Sequence, residues 1–331
     1  MGSNYLGISL GSSNIFIYRR GKGIVLGEPS VIATETYSGK TVAAGIKAKR
    51  MIGRVPDTIT VTEPVQRGVI ADFKKTAYLL KNYIDKVKRN KWGLEIIISV
   101  PSSATAVERR AVMDAAKAAG GRKIHIIEEP VAAALGCGLE VFQAKGHLIV
   151  DIGGGKTEIS VVSYGGVVYV MTVDSCAGTF DRDIINYVRK NYNILIGEST
   201  AEEVKMKLGS VIESDTIEFI TVNGRDLLQG LPVSLVLSTD DVRDAVKEGV
   251  DSIIEGIIYT MEHIDPDLTS DIIRNRIHLV GGGSLINGWQ ELILKRTGIE
   301  AEVGNNPLEC VALGAGNSRN VLNQIKLRKV N

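Results

Sequence analysis

The sequence has few of the features that mark cross-linked, secreted or membrane-spanning proteins. Its 331 residues include only three cysteines, Cys137, Cys176 and Cys310, and none of them stands in a CxxC spacing. The odd number and wide separation argue against a disulfide framework and agree with a reducing cytosol. The first residues lack the basic and then apolar pattern of a signal peptide, and no apolar run approaches the roughly 20 residues of a membrane-spanning helix. We therefore expect a cytoplasmic, soluble protein that could still lie on a membrane surface.

The sequence also lacks an excess of charge of either sign. Its 39 Lys and Arg residues oppose 38 Asp and Glu residues, which gives a formal net charge of +1. A dedicated nucleic-acid-binding protein normally carries a clustered basic excess, so we expect no nucleic-acid partner. The length is sufficient for a large core and is typical of two domains.

Two segments share one design. Residues 6–18 (LGISLGSSNIFIY) and residues 148–162 (LIVDIGGGKTEISVV) each contain an apolar run, a Gly-rich turn and a second β-rich run. This pattern is typical of a strand–turn–strand hairpin. Ser9 occupies the position in the first segment that Asp151 occupies in the second. A repeated unit at the start of each half predicts two similar α/β domains that face each other.

The rest of the chain alternates between strand-like and helix-like segments without a low-complexity linker, which predicts one molecule with a central cleft. The predicted strands lie at residues 95–100, 124–127, 217–222, 231–237 and 277–280, and the predicted helices lie at residues 105–120, 130–136, 181–191, 200–208 and 240–263.

Three Gly-rich turns each follow a buried strand, at residues 11–14, 153–155 and 281–283. A phosphate group needs several converging backbone N–H groups, and glycine removes the side chains that would block this approach. One such turn is often an ordinary tight turn, but three favour a nucleotide site. The first two turns are predicted to hold the β- and γ-phosphates from opposite domains, and the third to hold the α-phosphate and adenosine.

Two acidic positions adjoin these turns. Asp151 ends an apolar strand, where a carboxylate suits the hydrated Mg²⁺ of a nucleotide, although an Asp can also simply cap a turn. Glu128 and Glu129 follow a strand and begin a helix. One of these two carboxylates is a candidate for ordering an attacking water. The alternative is that they complement the dipole of the helix N-terminus.

Seven segments together resemble the MreB-type bacterial actins, within the superfamily of actins, sugar kinases and heat-shock chaperone ATPases. The resemblance extends over essentially the whole chain. The segments are residues 21–33 (GKGIVLGEPSVIA), 67–73 (RGVIADF), 100–116 (VPSSATAVERRAVMDAA), 126–139 (IIEEPVAAALGCGL), 151–163 (DIGGGKTEISVVS), 279–286 (LVGGGSLI) and 307–316 (PLECVALGAG).

The resemblance implies an actin-like α/β fold, with two similar α/β domains, each with a smaller subdomain, around a cleft that binds ATP or ADP with Mg²⁺. It also implies homopolymeric filaments, expected as paired protofilaments, which act in cell shape or motility and meet other MreB paralogues. The implied subdomains are IA (residues 1–32, 66–143 and 314–331), IB (residues 33–65), IIA (residues 144–178 and 244–313) and IIB (residues 179–243).

The resemblance also assigns roles to residues of the cleft. Glu129 matches the catalytic glutamate that positions the attacking water. The residues that match nucleotide contacts are Gly11, Ser12, Ser13 and Asn14 in the first phosphate loop, Asp151, Gly153, Gly154 and Gly155 in the second, Gly281, Gly282, Gly283 and Ser284 in the adenosine loop, and Glu202 and Lys205 on the helix at residues 200–208.

Two positions depart from the family pattern. The first loop of MreB proteins normally reads D-L-G-T-A-N, and Ser9 stands here in place of the acid next to the metal. The second loop normally reads D-I-G-G-G-T-T-E, and Lys156 stands in place of the first Thr, which helps Glu129 to hold the attacking water. Lys156 adds a positive charge near the γ-phosphate, where it can neutralise phosphate charge and pair with Glu129.

These two changes predict weak or absent ATP hydrolysis, because a positioned water and aligned charges supply most of the catalysis of phosphoryl transfer. Two alternatives stay open. A lysine in the correct place would assist the transition state, and a lysine directed to solvent would change little.

Residues 86–94 (KVKRNKWGL) combine basic side chains with Trp92 and Leu94. Basic residues next to an interfacial Trp suit an anionic membrane, so Trp92 and Leu94 are candidates for contact with the inner face of the cell membrane. The alternative is a solvated basic loop with Trp92 packed on the core.

Two other functions of the superfamily are weighed against a filament. A small-molecule kinase or phosphatase would need a catalytic carboxylate and a polar substrate pocket near the second loop, where this chain has Lys156. A chaperone ATPase would need a substrate-binding domain, and none is recognisable after the helix at residues 312–314. The MreB-like segments argue against both alternatives.

Overall fold

The structure is a computed structural model that describes residues 5–88, 93–213 and 216–321. The strands are β1 (Tyr5–Leu10), β2 (Asn14–Arg19), β3 (Gly23–Pro29), β4 (Ile32–Glu35), β5 (Thr41–Ala44), β6 (Ile59–Thr62), β7 (Val65–Gln66), β8 (Val69–Ile70), β9 (Glu95–Val100), β10 (Lys123–Glu128), β11 (His147–Ile152), β12 (Thr157–Ser163), β13 (Gly166–Val173), β14 (Ile194–Leu195), β15 (Phe219–Asp226), β16 (Pro232–Ser238), β17 (Ile277–Val280) and β18 (Ala301–Val303). The helices are α1 (Ile46–Lys49), α2 (Phe73–Val87), α3 (Ala106–Ala118), α4 (Glu129–Gly136), α5 (Ala177–Tyr192), α6 (Glu198–Leu208), α7 (Thr239–His263), α8 (Pro266–Asn275), α9 (Trp289–Thr297) and α10 (Cys310–Asn317), with short 3-10 turns at Gly282–Leu285 and Ser318–Asn320.

The two halves of the molecule contain five-stranded sheets of the same design. The first sheet has the order β10-β9-β1-β2-β3, and the second has the order β13-β12-β11-β17-β18. In the first, β1 is antiparallel to β2 and parallel to β9. In the second, β11 is antiparallel to β12 and parallel to β17. The repeat predicted from the two hairpin segments is therefore confirmed as a structural repeat.

Ser9 and Asp151 occupy equivalent places in this repeat, each at the next-to-last residue of its central strand. Their partners across the hairpin differ: Ser9 lies opposite Phe16, and Asp151 lies opposite Glu158. Because a strand directs alternate side chains to opposite faces, the residue opposite on the next strand shares a face with its partner. The second hairpin thus places two carboxylates on one face at the edge of the cleft, where the first has a hydroxyl and an aromatic ring.

Two three-stranded sheets and the two-stranded sheet β7-β8 accompany the large ones in the described residues. Strands β5-β4-β6 form one, next to α1, and strands β14-β15-β16 form the other, next to α6. The two three-stranded sheets lie at the ranges predicted for the smaller subdomains, residues 33–65 and 179–243, except that β4 begins one residue earlier, at Ile32. The residue boundaries of the four subdomains stay a prediction.

The predicted strands and helices are confirmed, with ends that shift by a few residues. The strand predicted at residues 217–222 begins at Phe219 and continues to Asp226. The helix predicted at residues 105–120 begins after Thr105, whose hydroxyl accepts a hydrogen bond from the backbone N–H of Glu108 in a capping box. Pro130 lies in the first turn of α4, where its missing N–H leaves no bond unmade.

The chain passes between the halves twice. It leaves the first half between α4 and β11, and it returns between β18 and α10. Helix α10 then packs on α4 and β1. This contact is very close, because a Cβ atom placed on Gly136 would lie 1.9 Å from the carbonyl oxygen of Cys310, and one on Gly314 would lie 1.6 Å from that of Ala132. Only glycine permits this approach of the two helix backbones.

Each half has its own buried core. In the first, α2 and α3 cover the sheet with residues such as Leu79, Leu80 and Val112. In the second, α5 and α7 cover the sheet with residues such as Phe180 and Ile253. The described ranges contain no helix with the length and apolar character that crossing a bilayer requires. The two cores hold the ends of β1 and β11 in place at the cleft.

Candidate functional site

A cavity of about 420 Å³ lies between the two halves. Both hairpin turns and the start of α4 reach it, together with α6 and the turn after β17. The predicted site residues that line it are Ser9, Gly11, Ser12, Ser13, Asn14, Glu129, Asp151, Gly153, Gly154, Gly155, Lys156, Glu202, Lys205, Gly281 and Gly282. The structure therefore brings residues from distant parts of the sequence to one place, while their individual roles stay predictions.

The two hairpin turns have the same backbone geometry. The N–H of Gly11 donates to the carbonyl of Asn14 at 3.1 Å, and the N–H of Gly153 donates to the carbonyl of Lys156 at 3.0 Å. A Cβ atom on Gly11 would lie 2.7 Å from the Asn14 oxygen, too close for any side chain. The sequence therefore needs glycine at this position to close the turn.

The two turns face each other directly across the cavity. A Cβ atom on Gly154 would lie 1.9 Å from the hydroxyl oxygen of Ser13, and one on Gly155 would lie 2.6 Å from that of Ser12. The Ser12 hydroxyl also accepts a hydrogen bond from the N–H of Gly68 at 3.0 Å. The two Gly-rich turns thus meet at one small volume, and Gly-rich turns can bind a phosphate group through their backbone N–H groups.

Helix α5 fixes the second turn from behind. The N–H of Ala177 donates to the carbonyl of Gly153 at 2.9 Å, and the thiol of Cys176 donates to the carbonyl of Gly154 at 3.3 Å. These contacts tie the carbonyl groups of Gly153 and Gly154 to the start of α5.

Lys156 enters the wall of the cleft and is only 9% exposed. Its ammonium donates a hydrogen bond to the carboxylate of Glu158, and the two groups form a buried ion pair. The same ammonium lies 3.9 Å from the carboxylate of Glu129, at the limit of an ion pair. The alternative of a lysine directed to solvent is therefore excluded. The ammonium lies near Glu129, as the sequence suggested, but Glu158 is its hydrogen-bond partner.

Of the two adjacent glutamates, the structure places only Glu129 at the cavity. Glu128 instead pairs with the guanidinium of Arg109 at 3.2 Å. Burial raises the pKa of Glu129 to about 8, and the negative charges of Glu158 and Asp151 add to this rise, while Lys156 opposes it. The carboxyl of Glu129 therefore holds its proton to a higher pH than an exposed glutamate does.

Asp151 lies at the same wall of the cavity. Burial raises the pKa of Asp151 to about 6, the charge of Glu158 adds to the rise, and Lys156 opposes it. Its carboxylate also lies close to the third Gly-rich turn, because a Cβ atom on Gly281 would lie 2.4 Å from Asp151 Oδ1. Gly281 has a φ of 81°, a left-handed conformation that favours glycine.

The third turn does not expose all of its predicted residues. Gly283 is buried against Ile152, and Ser284 is buried with its hydroxyl donating to the carbonyl of Gly281 at 2.7 Å. The indole N–H of Trp289 donates to the carbonyl of Gly283 at 2.9 Å. Gly283 and Ser284 thus support the turn from behind, and Gly281 and Gly282 face the cavity.

Glu202 and Lys205, one turn apart on α6, have different partners. The ammonium of Lys205 lies 2.8 Å from Asp181 and donates to the carbonyl of Ala177 at 2.6 Å. The carboxylate of Glu202 pairs at 2.7 Å with Lys49, at the end of α1 in the other half. The Glu202 pair therefore bridges the two sides of the cleft.

The structure also reveals site residues that the sequence-based prediction missed. Glu158 was identifiable in principle, because the hairpin places it opposite Asp151 and residues opposite each other share a face of the sheet. Lys49 gave no signal, since its pairing with Glu202 depends on how two distant helices meet. A second pair across the halves, Arg67 with Asp174 at 2.6 Å, was equally invisible in the sequence.

The predicted membrane segment is only partly described. Trp92 lies outside the described residues. Leu94 is 2% exposed and packs in the core of the first half, together with Ile96 and Val87. The prediction that Leu94 contacts a membrane is therefore wrong for this structure, because its side chain is already buried in the protein.

Comparisons with known proteins agree on one family. The family model described as MreB/Mbl protein matches residues 3–327. The chain is 39% identical over 329 residues to the cell shape-determining protein Mbl of Bacillus subtilis, which covers 98% of each chain. It is 44% identical over 323 residues to the cell shape-determining protein MreB of Escherichia coli, which covers 96% of this chain and 93% of the other.

Solved structures show the same similarity. MreB5 of Spiroplasma citri bound to ADP superimposes with a TM-score of 0.93 at 31% identity and covers 98% of both chains. The same protein bound to AMPPNP gives a TM-score of 0.93 over 99% of this chain and 100% of the other. A MamK double helical filament, at 20% identity and a TM-score of 0.80 over 98% of each chain, shows the fold alone.

Proposed function

The chain belongs to the MreB/Mbl family, and from this premise we propose that it binds ATP and ADP with Mg²⁺ and polymerises into cytoskeletal filaments. We place these filaments in the cytoplasm, in a role in cell shape or motility, and propose paired protofilaments as their form. Other MreB paralogues are proposed as further partners. Hydrolysis of the nucleotide is proposed to be slow.

The observation that carries nucleotide binding is the meeting of two equivalent hairpin turns across the cavity. The glycines of the second turn pack closely against the first turn, and Gly-rich turns of this kind supply backbone N–H groups to a phosphate. The turn that begins at Gly281 closes a third side. The cavity, at about 420 Å³, lies within the range of small-molecule sites. The ADP and AMPPNP bound by the Spiroplasma citri relative support the same ligand class here.

Asp151 is the proposed contact for Mg²⁺. This cation keeps several waters and usually takes only one or two protein carboxylates, with phosphate oxygens completing its shell. Asp151 fits that requirement, since its carboxylate lines the cavity. Ser9, at the equivalent place in the first half, offers a hydroxyl instead of a second carboxylate. Mg²⁺ bound there would neutralise the charge of the phosphate groups.

The described residues contain no cluster of three or more His, Cys, Asp or Glu side chains arranged to hold a metal ion. The protein alone therefore provides an incomplete metal site, and phosphate oxygens and water are needed to complete it. We propose that the cation enters with the nucleotide.

Slow hydrolysis is proposed from the surroundings of Glu129. A glutamate must be ionised to accept a proton from an attacking water, and burial raises the pKa of Glu129 to about 8. Lys156 lies 3.9 Å from the same carboxylate, where a neutral Thr side chain would otherwise help to hold the water. Glu158 retains the ammonium in that place. If the attacking water is not held in line with the phosphate, the rate of hydrolysis can fall by on the order of a hundredfold.

Polymerisation is proposed from family membership. A head-to-tail contact between identical subunits that does not close into a ring produces a fibre. The relatives named above act in cell shape, and a filament is the form in which a protein of this size could act over cellular distances.

Contact with an anionic membrane is proposed for Trp92 alone. Two of its basic neighbours already have partners, because Lys86 pairs with Glu28 at 3.0 Å and Lys88 pairs with Asp85. The remaining attraction would then come from Trp92 and the basic residues adjacent to it.

Isothermal titration of ATP and ADP, with and without Mg²⁺, tests the nucleotide proposal. The variant Gly154→Ala should weaken binding severalfold or more, because its Cβ atom would collide with Ser13. Gly166→Ala is the matched control, since a Cβ atom there has no neighbour within 4 Å. Absence of binding in the wild type under every condition would reject the proposal.

A pelleting assay with ATP, followed by negative-stain microscopy, tests polymerisation and separates a filament from a soluble kinase or phosphatase. Filaments should form above a critical concentration. Light scattering that shows only monomers at high concentration, with each nucleotide tried, would reject the filament.

A further inference from the structure

Two cysteines that are distant in the sequence lie side by side in the structure. The Sγ atoms of Cys137 and Cys310, 173 residues apart, are separated by 3.7 Å, and both thiols are free. A disulfide bond has a sulfur–sulfur distance of about 2.05 Å. The two sulfur atoms therefore need to approach by less than about 2 Å to form one.

Glycines pack closely around the pair and leave no side chain between the two thiols and Gly304. Gly304 lies against both thiols, since a Cβ atom there would be 2.9 Å from the sulfur of Cys137 and 3.3 Å from that of Cys310. The side chain of a larger residue at position 304 would press against both sulfur atoms. Gly136, next to Cys137, brings the backbones of α4 and α10 into direct contact.

The two thiols differ in exposure and acidity. Cys137 is half-buried and gives a small oxidant access, whereas Cys310 is fully buried. Cys310 is the first residue of α10, and the N-terminus of a helix stabilises a thiolate. The thiol of Cys137 also donates a hydrogen bond to Cys310, which lowers the pKa of Cys310 although burial opposes it.

The position of the pair in the fold gives the bond a consequence. Cys137 directly follows α4, where the chain leaves the first half, and Cys310 begins α10, where the chain has just returned. The same two helices reach the cavity, through Glu129 at the start of α4 and Val311 in α10. A bond between the cysteines would therefore join both connections between the halves at one point.

We propose that Cys137 and Cys310 form a covalent modification site, which a low-molecular-weight disulfide such as oxidised glutathione converts into an intramolecular disulfide, and that this bond restrains the opening of the cleft. The second part rests on the proposed nucleotide-binding function. The first part is independent of it. Opening of two domains requires rotation at the connections between them, and a covalent link between those connections restricts that rotation.

The reaction balances as two successive thiol–disulfide exchanges. One protein thiolate attacks a sulfur of oxidised glutathione, the glutathione disulfide bond breaks, and one glutathione thiolate leaves. The second protein thiolate attacks the sulfur of the mixed disulfide, the intramolecular bond forms, and the second glutathione thiolate leaves. The two protein thiols are oxidised to the disulfide, and one molecule of oxidised glutathione is reduced to two molecules of glutathione. The two protons released by the protein thiols go to the leaving glutathione thiolates.

Mass spectrometry of the full chain, reduced and then exposed to oxidised glutathione, tests the bond. The wild type should lose two hydrogen atoms and yield a peptide pair that joins Cys137 to Cys310. Cys176 is a control within the chain, because it bonds the backbone of Gly154 and should remain free. Unchanged thiols, a bridge that includes Cys176, or a disulfide between two chains would overturn the proposal.

The variant Cys137→Ser should yield no internal bridge, and it changes only one atom at a half-buried position. Cys310→Ala provides a second test at the buried partner, and should leave Cys137 as a mixed disulfide with glutathione. A bridge that persisted in either variant would overturn the assignment.

Release of a fluorescent ATP analogue measures the consequence. Oxidised wild type should release the analogue severalfold more slowly than reduced wild type, and dithiothreitol should restore the faster rate. Cys137→Ser should release it at one rate in both conditions. Equal rates in a wild type shown to be bridged would overturn the restraint on the cleft. A chain that bound no nucleotide in either state would instead reject the proposed function, while the peptide map would still decide the bond.

Discussion

Lys156 donates a hydrogen bond to the carboxylate of Glu158, and the two side chains are only 9% and 3% exposed. Glu158 lies near the start of β12, opposite Asp151 on the neighbouring strand, and Lys156 is the last residue before β12. The ammonium is thus held in the wall of the cleft, within 3.9 Å of Glu129. The lysine that replaces the family's Thr in the second loop is therefore fixed at the site by its buried ion pair with Glu158.

The first prediction is that Lys156→Thr combined with Ser9→Asp accelerates phosphate release. The double variant restores the neutral hydroxyl beside Glu129 and the acid near the metal. We expect an increase of about tenfold to a hundredfold, because water placement has an effect of that order. The measurement is steady-state phosphate release. Each single variant is a control, and neither needs to recover the full rate, since groups that act as a unit are not additive. A double variant as slow as the wild type would contradict the assignment.

The second prediction is that Glu158→Gln strongly destabilises the protein. The substitution leaves the ammonium of Lys156 buried without its nearest counter-charge, which typically costs about 3–5 kcal/mol. Lys156→Met with Glu158→Gln should recover most of the loss, because no charge is then buried unpaired. Thermal unfolding of the nucleotide-free variants measures both effects. The matched control is Glu203→Gln, which breaks an exposed pair with Lys207 at 2.9 Å and should cost less than about 1 kcal/mol.

Much of the fold was predictable, because the repeated hairpin left a clear pattern in the sequence. Apolar runs that end in Gly-rich turns identified both central strands, and the family comparisons confirm the actin-like fold and the MreB-type resemblance. The equivalence of Ser9 and Asp151 followed from the same alignment of the two segments. Strong local signals of this kind specify elements before any tertiary contact is known.

The remaining features depend on contacts that local pattern does not encode. Lys49 and Glu202 meet because α1 and α6 approach from different halves, and the spacing of residues along either helix does not reveal this. Leu94 looked like an interfacial residue because its neighbours are basic, yet it packs in the core. An apolar residue at the edge of a charged segment has the same sequence pattern whether it contacts a membrane or packs in the core.

The third prediction concerns the ion pair between Lys49 and Glu202. Its two side chains are 36% and 35% exposed, so the pair is expected to contribute no more than about 1 kcal/mol. Lys49→Ala should therefore accelerate release of a bound ATP analogue by at most about fivefold, because the pair bridges the cleft. The effect should shrink in high salt. Lys47→Ala, on the same helix, is the control, and an equal acceleration in that variant would exclude a role for the bridge.

The fourth prediction is that Trp92→Ala reduces sedimentation with anionic vesicles, because an interfacial aromatic side chain contributes to membrane binding. Vesicles of neutral lipid serve as the control and should bind little of either protein. Leu94→Ala is unsuitable for this test, since truncation of a buried leucine commonly costs about 2–5 kcal/mol of stability. Equal sedimentation of the wild type and Trp92→Ala would assign Trp92 to packing.

The fifth prediction follows from the protonation of Glu129. Burial raises the pKa of Glu129 to about 8, above its ordinary value near 4.5. Over the interval between these values the folded protein holds a proton that the unfolded chain has released. The stability from this proton is complete below about pH 4.5 and is lost as the pH rises through about 8. Glu129 alone should therefore lower the unfolding free energy by up to about 1.4 kcal/mol per pH unit across that interval.

The measurement is the unfolding midpoint in urea of nucleotide-free protein at several pH values above about 6.5, a range in which Asp151, with a pKa of about 6, is already mostly ionised. Glu129→Gln mimics the protonated side chain at every pH, so its midpoint should fall less steeply than that of the wild type. The same ionisation supplies the carboxylate that can accept a proton from water, so residual phosphate release by the wild type should rise between about pH 7 and 9. Parallel slopes for the wild type and Glu129→Gln would show that Glu129 is already ionised at neutral pH, and slow hydrolysis would then have to come from Lys156 and Ser9 alone.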